Sequence, residues 1–560
     1  DVWLSAPLHA ATGAKVLGGV EELDVVLPGL IPIEWQRFYN SRDERRDGLF
    51  GAGWSVPFEV SVVVELHPEG GERLVYTDEQ ARQIDMGAIA LGGAVFSAGE
   101  GLAVKRHDDG RLLIESEDGL YRLFEPTSPD PSRLQLSQLG DRNDNRVHLK
   151  YDAAGRLVGL SDSLHVACLD VAYSTRWPQR VERLERVFDD GSHETVASYA
   201  YDESGDLAEV TDAMGNLQRR FVYNADRRMV EHQLPGGLRC FYEWGLIDDR
   251  EWRVVRHYTD EGDEYRFDYD LDAGRTVVTD GLNRRSERRW NAQHQITEYI
   301  DNLGLAWRFA WNDARQLLGA TDPQEGEWRY TYDDTGNLET TEDPLGRCEL
   351  TQWLEHWSLP RLETDAAGHT WQYRYDARGN CTHAVDPLGH ITQFRYDGYG
   401  QVIEIIDATG KNRKQYWNEF GQLTESIDCS GYPTRFSYDR RGFLQGITDA
   451  LGERTVYRHD ALGRLFQRVL PDGRVDQYEW ALGGRLTCHT DPTGASTLYE
   501  YNRRGQLRQR TDALRREVRF AHDAYGRLHT LTNENGEHYR FAWDASDRLV
   551  VQQDLDGSQR

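Results

Sequence analysis

Ninety-four carboxylates, eighteen histidines and six cysteines give this chain ample material for acid–base, metal or nucleophilic chemistry. Their spacing argues against each. Cys168, Cys240, Cys348, Cys381, Cys429 and Cys488 are scattered without a C-x-x-C pair, which suits neither a zinc site nor a disulfide scaffold. They are expected to be free thiols of a protein folded in a reducing cytosol. No H-E-x-x-H, G-x-S-x-G or phosphate-binding loop is present. Gly51-Ala52-Gly53 leads into Trp54 and a strand-like run, Val60 to Glu65, and so lacks the helix that phosphate binding requires. His459-Asp460 and His522-Asp523 stand in phase with a recurring Tyr-Asp pair, which makes them repeat variants rather than ligands. Most other Asp residues sit in turn sequences. The reading is therefore no catalytic, cofactor or metal site and no enzyme, with an active site hidden in the irregular first 140 residues or between Trp244 and Tyr269 as the alternative to exclude.

The elements that carry these residues follow from a repeat. Tyr332-Asp333-Asp334-Thr335-Gly336-Asn337-Leu338 is one clean copy. In the same register stand Tyr269, Trp290, Trp311, Trp353, Tyr375, Tyr396, Trp417, Tyr438, His459, Trp480, Tyr501, His522 and Trp543. The step is 21 residues throughout except for one of 22 between Trp353 and Tyr375. Tyr151, Tyr201, Tyr223 and Trp244 form a less regular set before it. A second signal follows about eleven residues after the aromatic, as in Asp343-Pro344-Leu345-Gly346, Asp386-Pro387-Leu388-Gly389 and Asp491-Pro492-Thr493-Gly494. Asp bonds its own turn backbone, Pro presets φ and Gly supplies positive φ. Between turns the pattern alternates, as in Trp328-Arg329-Tyr330-Thr331-Tyr332, so each unit is a β-hairpin and the array an antiparallel ribbon. Turns every ten residues leave no room for helices. The fold class is all-β.

Composition agrees. Aromatics make up 11%, skewed to 28 Tyr and 16 Trp against three Met, as half-buried sheet surface requires. The net charge of −29 disfavours nucleic acid and anionic membranes as partners. A basic passenger would be drawn to an acidic interior if the charges pointed inward. No apolar run approaches a membrane span, and the chain opens Asp1-Val2-Trp3 rather than with Met or a signal peptide, as expected of a processed or partial chain.

Tyr151-Asp152-Ala153-Ala154-Gly155-Arg156-Leu157, with Thr-Asp-Pro-x-Gly turns at 21-residue spacing, resembles the YD repeat shared by Rhs proteins, toxin-complex C components and teneurins. The resemblance covers roughly residues 140–560. Thr12-Gly13-Ala14-Lys15, Leu27-Pro28-Gly29-Leu30, Trp35 to Ser41 and Gly48 to Trp54 resemble the opening of the bacterial Rhs core. The resemblance implies the shell of a secreted polymorphic toxin, folded in the bacterial cytoplasm, which encloses a C-terminal toxin domain for delivery to competitor or target cells, often by type VI secretion. Implied partners are that toxin domain, the remainder of the shell, a secretion spike, an N-terminal chaperone and an immunity protein. The family's Asp-Pro-x-Gly-x-x-Gly-Gly self-cleavage element is not matched, since the strings from Asp343 and Asp386 lack the closing Gly-Gly and keep the repeat phase. An N-terminal cleavage just before Asp1 would fit the family.

Three segments are expected: a head at 1–140, irregular repeats at 141–268 and regular repeats at 269–560. The framework residues are Tyr151, Gly155, Tyr332, Asp333, Gly336, Leu338, Asp343, Gly346, Tyr375, Asp386, Gly389, Tyr396, Trp417, Tyr438, Trp480, Tyr501 and Trp543. Their aromatic stripe reads as a structural ladder, with a carbohydrate-binding or adhesion module as the alternative. About 36 strands at ~4.8 Å each give a ribbon of roughly 170 Å, about one turn at a diameter of about 50 Å. That arithmetic predicts an open spiral segment wound around a hollow.

Overall fold

The computed structural model describes residues 8–66, 71–97, 99–126, 130–555 and 557–559. Both ends of the sequence, including the Asp1 start, lie outside the described residues. Among the described residues there are fifty-one strands, and the single-turn 3-10 helix Val20–Glu22 is the only helical element. From Ala94–Ser97 to Leu549–Gln553 each strand runs antiparallel to its neighbour in sequence, and the ribbon continues through residue 140 without a break. The strand Arg133–Gly140 also pairs at its start with Ser61–Leu66, which ties the head to the ribbon.

The ribbon is curved by a device built into each repeat. At each regular aromatic from Trp290 to Trp543 the register slips by one residue, as between Thr331 and Tyr332 or Ser437 and Tyr438, whereas the pair at Tyr269 stays in register. Such a bulge places one extra residue on the outgoing strand, bends it and increases its twist. Repeated in one phase, the bulges wind the ribbon into a coil. Turns that are 237 to 263 residues apart therefore meet. Asn143 and Asn380 exchange amide hydrogen bonds of 2.8 and 3.1 Å, Arg441 reaches Glu194 at 2.5 Å, and Arg504 reaches Asp263 at 2.5 Å. In each case a YD turn of the second coil (residues 306–553) rests on an opposite-edge turn of the first (residues 94–305).

Twenty-three strands separate the turn of Asp260 from that of Arg503, which it contacts. At ~4.8 Å per strand this is a circumference of roughly 110 Å and a diameter of about 35 Å. The expected single turn at about 50 Å is therefore corrected: the ribbon nearly laps itself twice, because bulges curve it more tightly and because it starts near residue 94. The one 22-residue step also finds its reason here. The longer connection at Leu354–Leu359 carries Trp357 beneath the Arg142 guanidinium, 4.9 Å from the ring centre, at one of the contacts between the two coils.

The head fills the first coil. Leu27, Ile33, Trp35, Tyr39, Phe50, Trp54 and Phe58 are buried against Leu160, Val171, Leu184, Tyr199, Val210 and Phe221 of the coil's inner face in one continuous core. Trp54 lies 4.8 Å from Phe221, and Phe50 4.7 Å from Tyr199, both edge-on. Further along, Arg253 donates to the Ala11 carbonyl at 2.7 Å and Thr276 to that of Ala10 at 2.8 Å.

Candidate functional site: the inner face of the coil

The repeated turns are built from backbone chemistry. In Asp333 to Asn337, the Asp333 carboxylate accepts the Thr335 and Asn337 amides while Gly336 takes φ +88°. Gly155, Gly346 and Gly389 occupy the same left-handed position, at +78°, +74° and +84°. Asp343 and Asp386 accept two turn amides each and pair with Arg347 and His390. The Arg347 hydrogen bond, with the turn amides, holds the Asp343 carboxyl below its usual range. These aspartates are consumed by structure.

The phase aromatics share one role. The hydroxyl of Tyr332 donates to the carbonyl of Leu317, fifteen residues back, at 2.8 Å. Tyr151, Tyr375, Tyr396, Tyr438 and Tyr501 do the same at 2.6 or 2.7 Å, and Trp353, Trp417, Trp480 and Trp543 use the indole N–H at 2.7 or 2.8 Å. Leu338 faces Tyr332 across the strand pair and accepts the bond from Trp353. Each repeat is thus clasped to the one before. Tyr and Trp alternate freely because both couple a large ring to a donor. The histidine variants break the clasp: no equivalent bond joins His459, whose Nδ1 is buried without a partner. The stripe is half-buried and its polar atoms are committed to these bonds.

The sequence did not disclose the charges buried under the head. Glu22 pairs with Arg219 and lies 3.7 Å from Arg37, Arg37 binds Asp24 at 2.6 Å, and the Tyr199 hydroxyl donates to Asp24 at 2.6 Å. Glu22, Arg37 and Arg219 are essentially inaccessible, so this network joins head to coil in a dry interior where an unpaired member is costly. Arg219 also donates to Nδ1 of His232, which must accept and is therefore neutral, with Nε2 toward the Tyr242 hydroxyl at 2.9 Å. Burial holds His232 well below the usual imidazole range and brings His257, stacked on Tyr242, down to about 4. Lys15 sits over the Tyr242 ring at 4.4 Å with its ammonium on the Val16 carbonyl, and burial lowers it also. Glu59, pushed up to about 7 by burial, accepts the Leu49 amide at 2.7 Å. Spacing could not have shown any of these, since the partners lie up to 197 residues apart.

Two absences among the described residues bear on metal and disulfide chemistry. No three His, Cys, Asp or Glu side chains converge to hold a metal, and the six cysteines are unpaired. The segment between Trp244 and Tyr269 is a long hairpin, Arg239–Ile247 against Glu251–Thr259.

A profile described as RHS Repeat matches residues 201–239, 360–391, 417–475, 480–517 and 522–559, and a domain of unknown function, DUF6531, matches residues 5–86. The double-stranded DNA deaminase toxin A of Burkholderia cenocepacia is 32% identical over 52% of this chain and 20% of its own length.

The chain belongs to the bacterial Rhs family.

The probable deoxyribonuclease RhsA of Dickeya dadantii is 30% identical over 67% of this Rhs chain and 24% of its own length. The Rhs chain therefore spans about a quarter or less of those relatives. The crystal structure of TcdB2-TccC3-TEV superposes with a TM-score of 0.55 over 88% of the Rhs chain and 34% of that chain, at 14% identity, a likeness of fold.

Proposed function

We propose that this Rhs chain is wall rather than catalyst: part of a shell that encloses a polypeptide passenger, the C-terminal toxin domain of a secreted toxin. The observation that carries the reading is the unequal filling of the two coils. In the first, the head covers the inner face; in the second, the same face continues with its rings half-exposed. Turn and clasp chemistry accounts for the repeated carboxylates and aromatics, which leaves no unexplained constellation for a reaction. The three-part division, with the head acting on the first coil, belongs to the same proposal. So do folding in the cytoplasm, export with a spike and chaperone, an immunity protein, and delivery by type VI secretion to a competitor cell.

The test is the complete reading frame together with the intact mass of its product. The expected result is a longer frame whose variable C-terminal domain is released by cleavage after an Asp-Pro-x-Gly-x-x-Gly-Gly element and co-purifies with the shell. A frame with no passenger domain would overturn the container reading and favour an adhesion array.

A further inference from the structure

A container can hold its contents by charge or by contact, and the net charge of −29 invites the first. We infer that the inner face of the second coil binds aromatic and aliphatic segments of a polypeptide by contact, whatever the passenger's net charge, continuing the way the first coil holds the head. The inference rests on the container reading and names what its cavity selects.

The face is identified by phase. In Leu217–Tyr223, Phe221 and Tyr223 point to the head, touching Trp54 by ring contact and hydrogen bond. One regular repeat carries this face as Tyr330 and Tyr332, and cross-strand register then assigns the remainder. The position two residues before each phase aromatic is most often a ring: Tyr330, Tyr373, Phe394, Phe436, Phe520 and Phe541 among them. Opposite them stand small or aliphatic residues, with Ala384 facing Tyr373, Ile405 facing Phe394 and Ile447 facing Phe436.

The ionised residues at these register positions between Trp307 and Gln552 are three acids, Glu349, Glu363 and Asp476, and three arginines, Arg413, Arg468 and Arg510, which cancel. Asp476 is engaged by Arg468 at 2.6 Å and His489 at 3.1 Å, and Glu363 accepts the Tyr373 hydroxyl at 2.8 Å. The opposite face carries the salt-bridge ladder, including Arg395–Glu404 at 2.9 Å and Arg435–Glu425 at 3.4 Å. The acidic excess of the chain therefore lies away from this face. A net-neutral concave lining rich in rings supplies apolar contact area and little long-range attraction. Its continuity with the face that already buries Trp35, Phe50 and Trp54 of this chain identifies the occupant as polypeptide with similar apolar side chains.

The experiment uses the full chain and fluorescein-labelled reduced, carboxymethylated α-lactalbumin, an acidic chain that does not fold, with poly-L-lysine as the charged competitor. Binding is expected, with less than about a twofold change in Kd between about 50 and about 500 mM salt. Poly-L-lysine should not compete. Phe394→Glu and Phe436→Glu should each weaken binding at least about tenfold, and Phe394→Ala with Phe436→Ala covers the case in which the charged variants lose their sheet spectrum. Absence of binding, or binding abolished by salt or by poly-L-lysine, overturns the inference. So does loss of binding in a Leu345→Gln, Leu388→Gln, Leu451→Gln, Leu514→Gln variant with the phenylalanine variants unaffected, because those leucines project from the uncovered outer edge of the second coil at 74 to 86% exposure. A frame lacking a passenger would remove the container reading and leave this result standing; a passenger displaced by salt would do the reverse.

Discussion

Arg219→Met provides a direct measure of how firmly the head is seated. Arg219 is 1% exposed, pairs with the equally buried Glu22, and donates to the Gln233 carbonyl at 2.6 Å and to His232. Methionine retains most of the volume and removes the charge. Glu22 is then left in a dry interior with only Arg37 at 3.7 Å, which is itself committed to Asp24. Breaking one side of a buried pair costs about 3–5 kcal/mol. If that energy resides in head docking, amides of the head strand Ile33–Gln36 should exchange about a hundred- to several-thousand-fold faster at a fixed pH, while those of Pro433–Tyr438 in the second coil stay unchanged. Hydrogen exchange read by mass spectrometry resolves both segments. The double variant Glu22→Gln, Arg219→Met should recover part of the loss, since no lone charge remains buried. Acceleration below about tenfold, equal acceleration in both segments, or strict additivity in the double variant would refute the assignment of this network as the head's anchor.

Three further outcomes follow from the geometry. Tyr438→Phe removes the 2.7 Å bond to the Leu423 carbonyl and should destabilise its hairpin by about 0.5–1.5 kcal/mol, whereas His459→Tyr supplies a missing clasp and should stabilise by a similar amount, both read from local exchange. Gly389→Ala, at φ +84° with open space around it, should cost about 1–2 kcal/mol through backbone strain alone, measured as a shift in the urea midpoint of its segment. Acid should loosen the head: His257 is held near 4 against an unfolded value near 6.5, so the unfolded state binds more protons, and stability falls as pH drops from about 6.5 to about 4. His257→Phe should flatten that part of the exchange-versus-pH profile, and an unchanged profile would exclude His257 as its source.

The hairpins and their turns were legible because their causes are local. Asp333 and Gly336 close a turn within five residues, and Trp328-Arg329-Tyr330 alternates because neighbouring strand residues face opposite sides. The family was legible for the same reason, since one local solution recurs every 21 residues. Even the 22-residue step was visible, though its purpose, lodging Trp357 under Arg142, was not. Curvature, by contrast, is a sum over many small bulges, so a modest error in each changes the diameter and the number of laps. Which face turns inward, which turns meet across 237 to 263 residues, and which charges the head buries depend on that sum. The chain's periodicity therefore determined its hairpin ribbon, and only closure of the coil decided that Glu22 meets Arg219, that Arg441 meets Glu194, and that the rings of the second coil line a neutral interior.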